Sequence, residues 1–152
     1  MAYTSAQARG ELLEAIAVAI DELAEALASL EVAYEQLDDA HADELEELLF
    51  RPVQRAYGRA KRTYSQFADR HALPVRDFAT PSSRAPSLGV KLLVENAVGR
   101  VARAESELVA LQDSLMPIEV GDGELRAGLS EVRELIGGVS QKARAFVRTF
   151  GR

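Results

Sequence analysis

The stretch LEAIAVAIDELAEALASLEVAYEQL, residues 13–37, decides the fold class. Its apolar residues Leu13, Ile16, Ile20, Leu23, Leu27, Leu30, Tyr34 and Leu37 recur at alternating steps of three and four without a miss. That spacing keeps one face of an α-helix apolar along its length, the pattern of helices that pack nearly parallel or antiparallel to one another. Thr4, followed three residues later by Gln7, supplies a capping box at the start.

Three more stripes follow. The second runs Leu45, Leu49, Val53, Ala56, Ala60, Tyr64, Phe67, His71, and the third Val90, Val94, Ala97, Val101, Ala104, Leu108, Leu111, Leu115. The fourth runs Leu125, Leu129, Val132, Ile136, Val139, Ala143, Phe146, Phe150. No segment alternates with period two for long enough to make a strand. The expected fold is all-α, a four-helix bundle of long, matched helices near residues 5–38, 43–72, 87–116 and 122–150, forming one domain over 1–152. Helices of about 28–35 residues would stand roughly 45 Å tall.

Breakers set the boundaries. Asp122 caps the fourth helix, with Gly121 and Gly123 loosening the turn before it. Pro117 disfavours helical geometry at Met116, where the third helix should end. Pro74, Pro81 and Pro86, with Thr80, Ser82 and Ser83, make a Pro/Ser-rich loop between helices two and three. About 15 residues reach at most some 50 Å, enough for a crossover along the bundle or for a slack local connection. The first turn has two placements: a break at Pro52 after one long helix, or a turn at 39–43 with Pro52 kinking the second helix. Six acids between Asp38 and Glu47 favour the turn, because carboxylates stabilise the first turn of a helix and destabilise the last. Asp43 with Glu46 also has the spacing of a cap and its partner.

Composition narrows the classes. The 152 residues are 47% apolar and 28% charged, an ordinary globular balance that excludes a disordered tail, a collagen-like repeat and a membrane span. With no cysteine there is no disulfide framework, thiolate metal site or cysteine nucleophile. Glu14 interrupts the most apolar run, Leu12 to Ile20, which makes a poor secretion signal, so a cytoplasmic location is the expectation. Charge is segregated: residues 1–50 carry a formal −12 and residues 51–152 a formal +6. The expected reason is an acidic helix packed beside a basic one, with charges facing along the seam.

Catalytic signatures are missing. There is no P-loop, G-x-G-x-x-G, H-E-x-x-H or G-x-S-x-G. A di-metal bundle needs Glu-x-x-His on two helices, and the nearest match is a single Asp38-x-x-His41. The acidic run Asp38–Glu44 lacks the ligand spacing and glycine of a calcium loop. No catalytic residue, metal ligand or cofactor is therefore expected, nor an enzyme. One charged feature is ordered: Arg51, Arg55, Arg59 and Arg62 lie opposite the Val53/Ala56/Ala60/Tyr64 stripe. The plain reading of that row is a solvated or acid-paired face, and the functional one is a docking face for an acidic protein partner. A pI near 5.0, and Tyr57 as the one aromatic residue among the arginines, disfavour nucleic acid.

The leading expectation is a non-enzymatic interaction or scaffold protein with separate acidic and arginine-rich faces. The alternative is a bundle that binds a small hydrophobic ligand between its helices, near Tyr34, Tyr64, Gly137 and Gly138. Each mid-helix glycine costs about 1 kcal/mol relative to alanine. Close approach of a neighbouring helix is the favoured reason for Gly137–Gly138, ahead of a kink or a ligand against bare backbone. Val18, Val32 and Leu92 fall off the stripes and suit self-association as a homodimer.

Overall fold

The chain is all-α in a computed structural model that describes residues 4–78 and 88–150, with no strand among them. Helix α1 spans Ser5–Glu35 and begins with the expected capping box: Thr4 Oγ1 accepts from the Gln7 N–H at 3.1 Å, and Gln7 Oε1 from the Thr4 N–H at 3.0 Å. Its stripe is wider than the heptad positions. Ala17, Ala19, Ala24, Ala26 and Ala33 are buried beside Leu12, Ile16, Ile20, Leu23 and Leu30. Small side chains let neighbouring backbones come close, which makes α1 the central helix of the bundle.

A tight turn at 36–38 leads into α2, Asp39–Leu45, which passes through a wide π turn, Glu46–Phe50, into α3, Arg51–Arg70. The break therefore comes before the expected 39–43, and Asp38, not Asp43, is the N-cap. Its carboxylate bonds to Nδ1 of His41 and to no backbone N–H of the first turn. Charge preference located the break without choosing among neighbouring acids, since Asp39 satisfies it as well as Asp43 does. Pro52 neither breaks nor ends the helix. A proline removes one N–H and crowds the carbonyl four residues back. The π turn relieves both: the Arg51 N–H reaches to the Glu46 carbonyl, five residues back, and Pro52 starts a regular helix.

α3 ends in a Schellman pair: the Leu73 N–H donates to the Ala68 carbonyl at 2.8 Å and the Ala72 N–H to Asp69 at 3.3 Å. Ala72 occupies the left-handed position, φ 51°, that glycine usually fills. An L side chain there costs about 1–2 kcal/mol. Ala72→Gly is expected to raise stability by about 1 kcal/mol, read as a higher urea midpoint with an unchanged slope.

α4 runs Val90–Asp113, three residues short of the expected end. Ser114 turns extended, ψ 160°, and its Oγ accepts from the Met116 N–H at 3.4 Å. Pro117 then sits in the first turn of a one-turn helix, α5 (Met116–Glu119). The expected fourth helix is two: α6, Gly123–Ile136, and α7, Val139–Phe150. They part at Gly137–Gly138, so the kink and not close packing explains these glycines. A Cβ on Gly137 would meet only the Arg133 and Glu134 carbonyls of its own chain, and one on Gly138 only Lys142.

Cross-helix pairs fix the topology. Ser29–Asn96, Glu22–Arg100 and Gln36–Leu88 run α1 and α4 antiparallel. Arg59–Glu131 and Arg70–Asp122 do the same for α3 and α6. The turn at 36–38 sets α3 antiparallel to α1 and so parallel to α4. His71 lies beside Asp122 at one end of the bundle and Leu88 beside Gln36 at the other, which makes the segment joining α3 and α4 a crossover. Its described part, residues 71–78, turns back along α1 and α3: Arg76 pairs with Asp21, and Phe78 meets Tyr64 edge-on at 5.0 Å. Pro81, Ser82, Ser83 and Pro86 lie outside the described residues.

The seams are mainly apolar, and segregated charge does not zip the helices together. Among the described residues, Asp21–Arg76 and Glu22–Arg100 join the acidic first part to the basic remainder, and most other acids of α1 and α2 are exposed. Close approach occurs between α3 and α6. There Gly128 faces the buried Thr63, and a Cβ on it would overlap the threonine's Oγ1 and Cγ2. Tyr34, Leu115 and Phe150, expected in the core, are 40%, 61% and 36% exposed because each lies at or past a helix end. Val18 and Val32 are half-buried and Leu92 is exposed. Among the described residues, no helix is long and apolar enough to cross a membrane.

Candidate functional site

The outer face of α3 begins immediately after the π turn and carries the four arginines picked out by their spacing. Arg51, Arg55 and Arg62 are exposed and make no ion pair among the described residues. Arg59 is different. Its Nε donates to Glu131 at 2.6 Å and its Nη1 to Thr63 Oγ1 at 2.9 Å, so it belongs to the α3–α6 seam. Being next to the Ala60 stripe position turned it inward, a flank that opposite-face geometry alone does not resolve.

Between Arg55 and Arg62, Gly58 leaves the surface open, with no atom within 4 Å of where its Cβ would stand. Lys61 holds its ammonium 4.2 Å over the Tyr57 ring, which occupies the one aromatic face among these cations. Further along, Lys61, Arg62 and Ser65 edge a cleft of about 550 Å³ whose far wall is residues 75–78. Tyr64 lies beneath, 6% exposed, its hydroxyl accepting from the Arg76 N–H at 3.3 Å. Arg76 is committed to Asp21, and that contact raises its guanidinium pKa further.

The four residues considered for a hydrophobic ligand do not share a cavity. Tyr34 borders a separate depression of about 320 Å³ with Glu31, Glu46 and Phe50. Tyr64 is packed beneath the returning segment, and Gly137–Gly138 form the α6–α7 bend. The two histidines occupy opposite ends. His41 meets Phe150 edge-on at 5.6 Å, while His71 Nε2 lies 3.1 Å from Asp122. Among the described residues, no group of three or more His, Asp or Glu is placed to hold a metal ion.

Spacing did not reveal the polar cluster at the His71 end. Asp122 caps α6 by accepting from the Leu125 N–H at 2.8 Å, and it takes a bidentate pair from Arg70, both at 2.8 Å. Glu124 adds a second carboxylate to Arg70. Burial pushes the Asp122 carboxyl up, but the bonds from Arg70, the Leu125 N–H and His71, with the Arg70 charge, outweigh it and hold the pKa at about 2, against an ordinary 3.8. Both Asp122 oxygens are taken by structural donors, so this cluster fastens α3 to α6. Arg51, Arg55 and Arg62 of α3 have no such partner among the described residues.

No protein-family model, curated protein or solved structure matches this chain.

Proposed function

We propose that the chain is a non-enzymatic interaction protein that docks an acidic protein partner on the outer face of α3. The observation that carries this reading is the division of labour among its arginines. Arg59, Arg70, Arg76 and Arg100 are each tied to a carboxylate of the fold, while Arg51, Arg55 and Arg62 stand exposed on one face without one. A guanidinium presents forked donors suited to carboxylates, and an exposed row of them steers association and sets register more than it adds raw affinity. The acidic surface of α1 and α2 repels the same partner and so orients it.

The test is Arg51→Glu/Arg55→Glu/Arg62→Glu, which leaves Arg59 in its seam. Immobilised parent and variant chains are offered the same lysate and eluted from about 0.05 M to about 0.5 M salt, a range over which screening shortens several-fold. The parent is expected to hold acidic partners that leave as salt rises, and the variant to lose them while melting at the parent's temperature. A variant that keeps the same partners to the same salt concentration reduces the arginine face to solvated surface.

A further inference from the structure

We infer that the groove between α4 and α7 is a binding site for a single-chain fatty acid, its alkyl chain on a valine floor and its carboxylate held by Arg144 and Arg148. The site is separate from the arginine face of α3, and either reading stands without the other.

The groove follows from the bend at Gly137–Gly138. α6 packs on α3, whereas α7 turns toward the π turn and α2, and α4 packs against both α6 and α7. The unfilled space is about 420 Å³, inside the roughly 300–1,000 Å³ usual for small-molecule sites. Val94 and Val98, one turn apart on α4, face Ala143 and Val147, one turn apart on α7. Val98 and Val147 are only half-buried, so the fold leaves part of this apolar lining without cover. From Ser140 to Arg148 the wall runs about 12 Å, long enough to lay an alkyl chain lengthwise.

Charge at the rim selects the head group. Arg144 and Arg148 lie one turn apart, both exposed and neither in an ion pair among the described residues. Two adjacent guanidinium forks match a carboxylate's paired oxygens. Glu95, on the α4 wall, also lines the groove. Its charge offsets part of the pull of the two arginines on any anion, leaving the rim a net single positive charge that one carboxylate balances. A cationic head would meet two like charges. The chain then lies with its head toward Arg148 and its tail toward Ser140.

Dodecanoate, titrated into the full chain below its micelle concentration and followed by calorimetry, is expected to saturate at one per chain. Arg144→Glu/Arg148→Glu changes only exposed side chains, so the fold is retained. It is expected to weaken binding by about a hundredfold, roughly tenfold for each charge-assisted contact. Val98→Gln, which places an amide on the floor, should weaken it several-fold. Dodecyltrimethylammonium, with the same tail and a cationic head, should bind at least about tenfold more weakly. Absence of saturable binding, equal affinity for the ammonium compound, or a double variant that binds like the parent overturns the proposal. Tighter binding of dodecyl phosphate overturns the assignment of a carboxylate.

Discussion

Gly128→Ala is expected to lower stability by about 2 kcal/mol, although alanine is the better helix former by about 1 kcal/mol. Gly128 lies inside α6 in ordinary helical geometry, so an exposed position there would gain from the change. At this site the added Cβ overlaps Oγ1 and Cγ2 of Thr63, and Thr63 cannot move aside cheaply. It is 2% exposed and β-branched, and its Oγ1 donates to the Arg59 carbonyl while accepting from the Arg59 guanidinium. Either those bonds break or α3 and α6 separate. The decisive comparison is the same change in a Thr63→Ala background, where the two overlapping atoms are gone. There the cost should shrink to near zero or reverse sign. Urea unfolding of the four chains measures this coupling. A neutral or stabilising effect of Gly128→Ala in the parent would mean that the helices are not in contact at this point.

Asp122→Ala should cost about 2–3 kcal/mol at pH 7, because one carboxylate performs three tasks. It caps α6, receives both prongs of Arg70 and accepts from His71. Loss of a cap alone costs about 1 kcal/mol. The depressed pKa gives an independent measure. A carboxyl at about 2 in the folded chain and 3.8 when free contributes about 2 kcal/mol wherever it is ionised in both states. That contribution is complete above the free value and disappears as pH falls from about 4 through 2. Parent and variant stabilities should therefore differ at pH 7 and converge toward pH 2. Asp122→Asn, which keeps the cap and loses the charge, should fall between them. A gap that stays constant between pH 7 and pH 2 would show that ionisation of Asp122 contributes nothing.

Local rules carried far in this chain, and pairing between distant segments is where they stopped. The Thr4/Gln7 box and the Asp122 cap follow from residues within a few positions of each other and both are present, whereas the third helix ends at Asp113 and Met116, expected to leave helical geometry, opens α5. Pro52 is ambiguous by such rules, because whether it breaks a helix or sits in one depends on a π turn that its own vicinity does not announce. Gly137 and Gly138 show the same limit: a kink and a close contact place the same residues in a helix, and only the neighbours tell them apart. The crossover is a matter of which helix faces which, settled by distant pairs such as Ser29–Asn96. Some of the missed features did leave a trace. Gly128 adjoins Leu129 of the fourth stripe, a position where a glycine invites close approach. Val98 and Val147 each follow a stripe residue, Ala97 and Phe146, and extend the apolar face past the seam into the α4–α7 groove. Of the arginine row, Arg51, Arg55 and Arg62 are exposed without an ion pair among the described residues and Arg59 is not, because its inward reach depends on Glu131, 72 residues away.

The crossover also has a consequence for synthesis. The most extensive partner of α1 is α4, which leaves the ribosome only after more than fifty further residues have been made. During that interval the broad apolar surface of α1, alanines included, has only α2 and α3 to cover it. Exposed apolar surface on a nascent chain is an aggregation hazard. The formal −12 borne by the first fifty residues works against it, because nascent segments so strongly charged repel one another. Segregated charge thus serves the chain before the bundle exists: it keeps neighbouring unfinished copies apart until the helix that completes the core arrives.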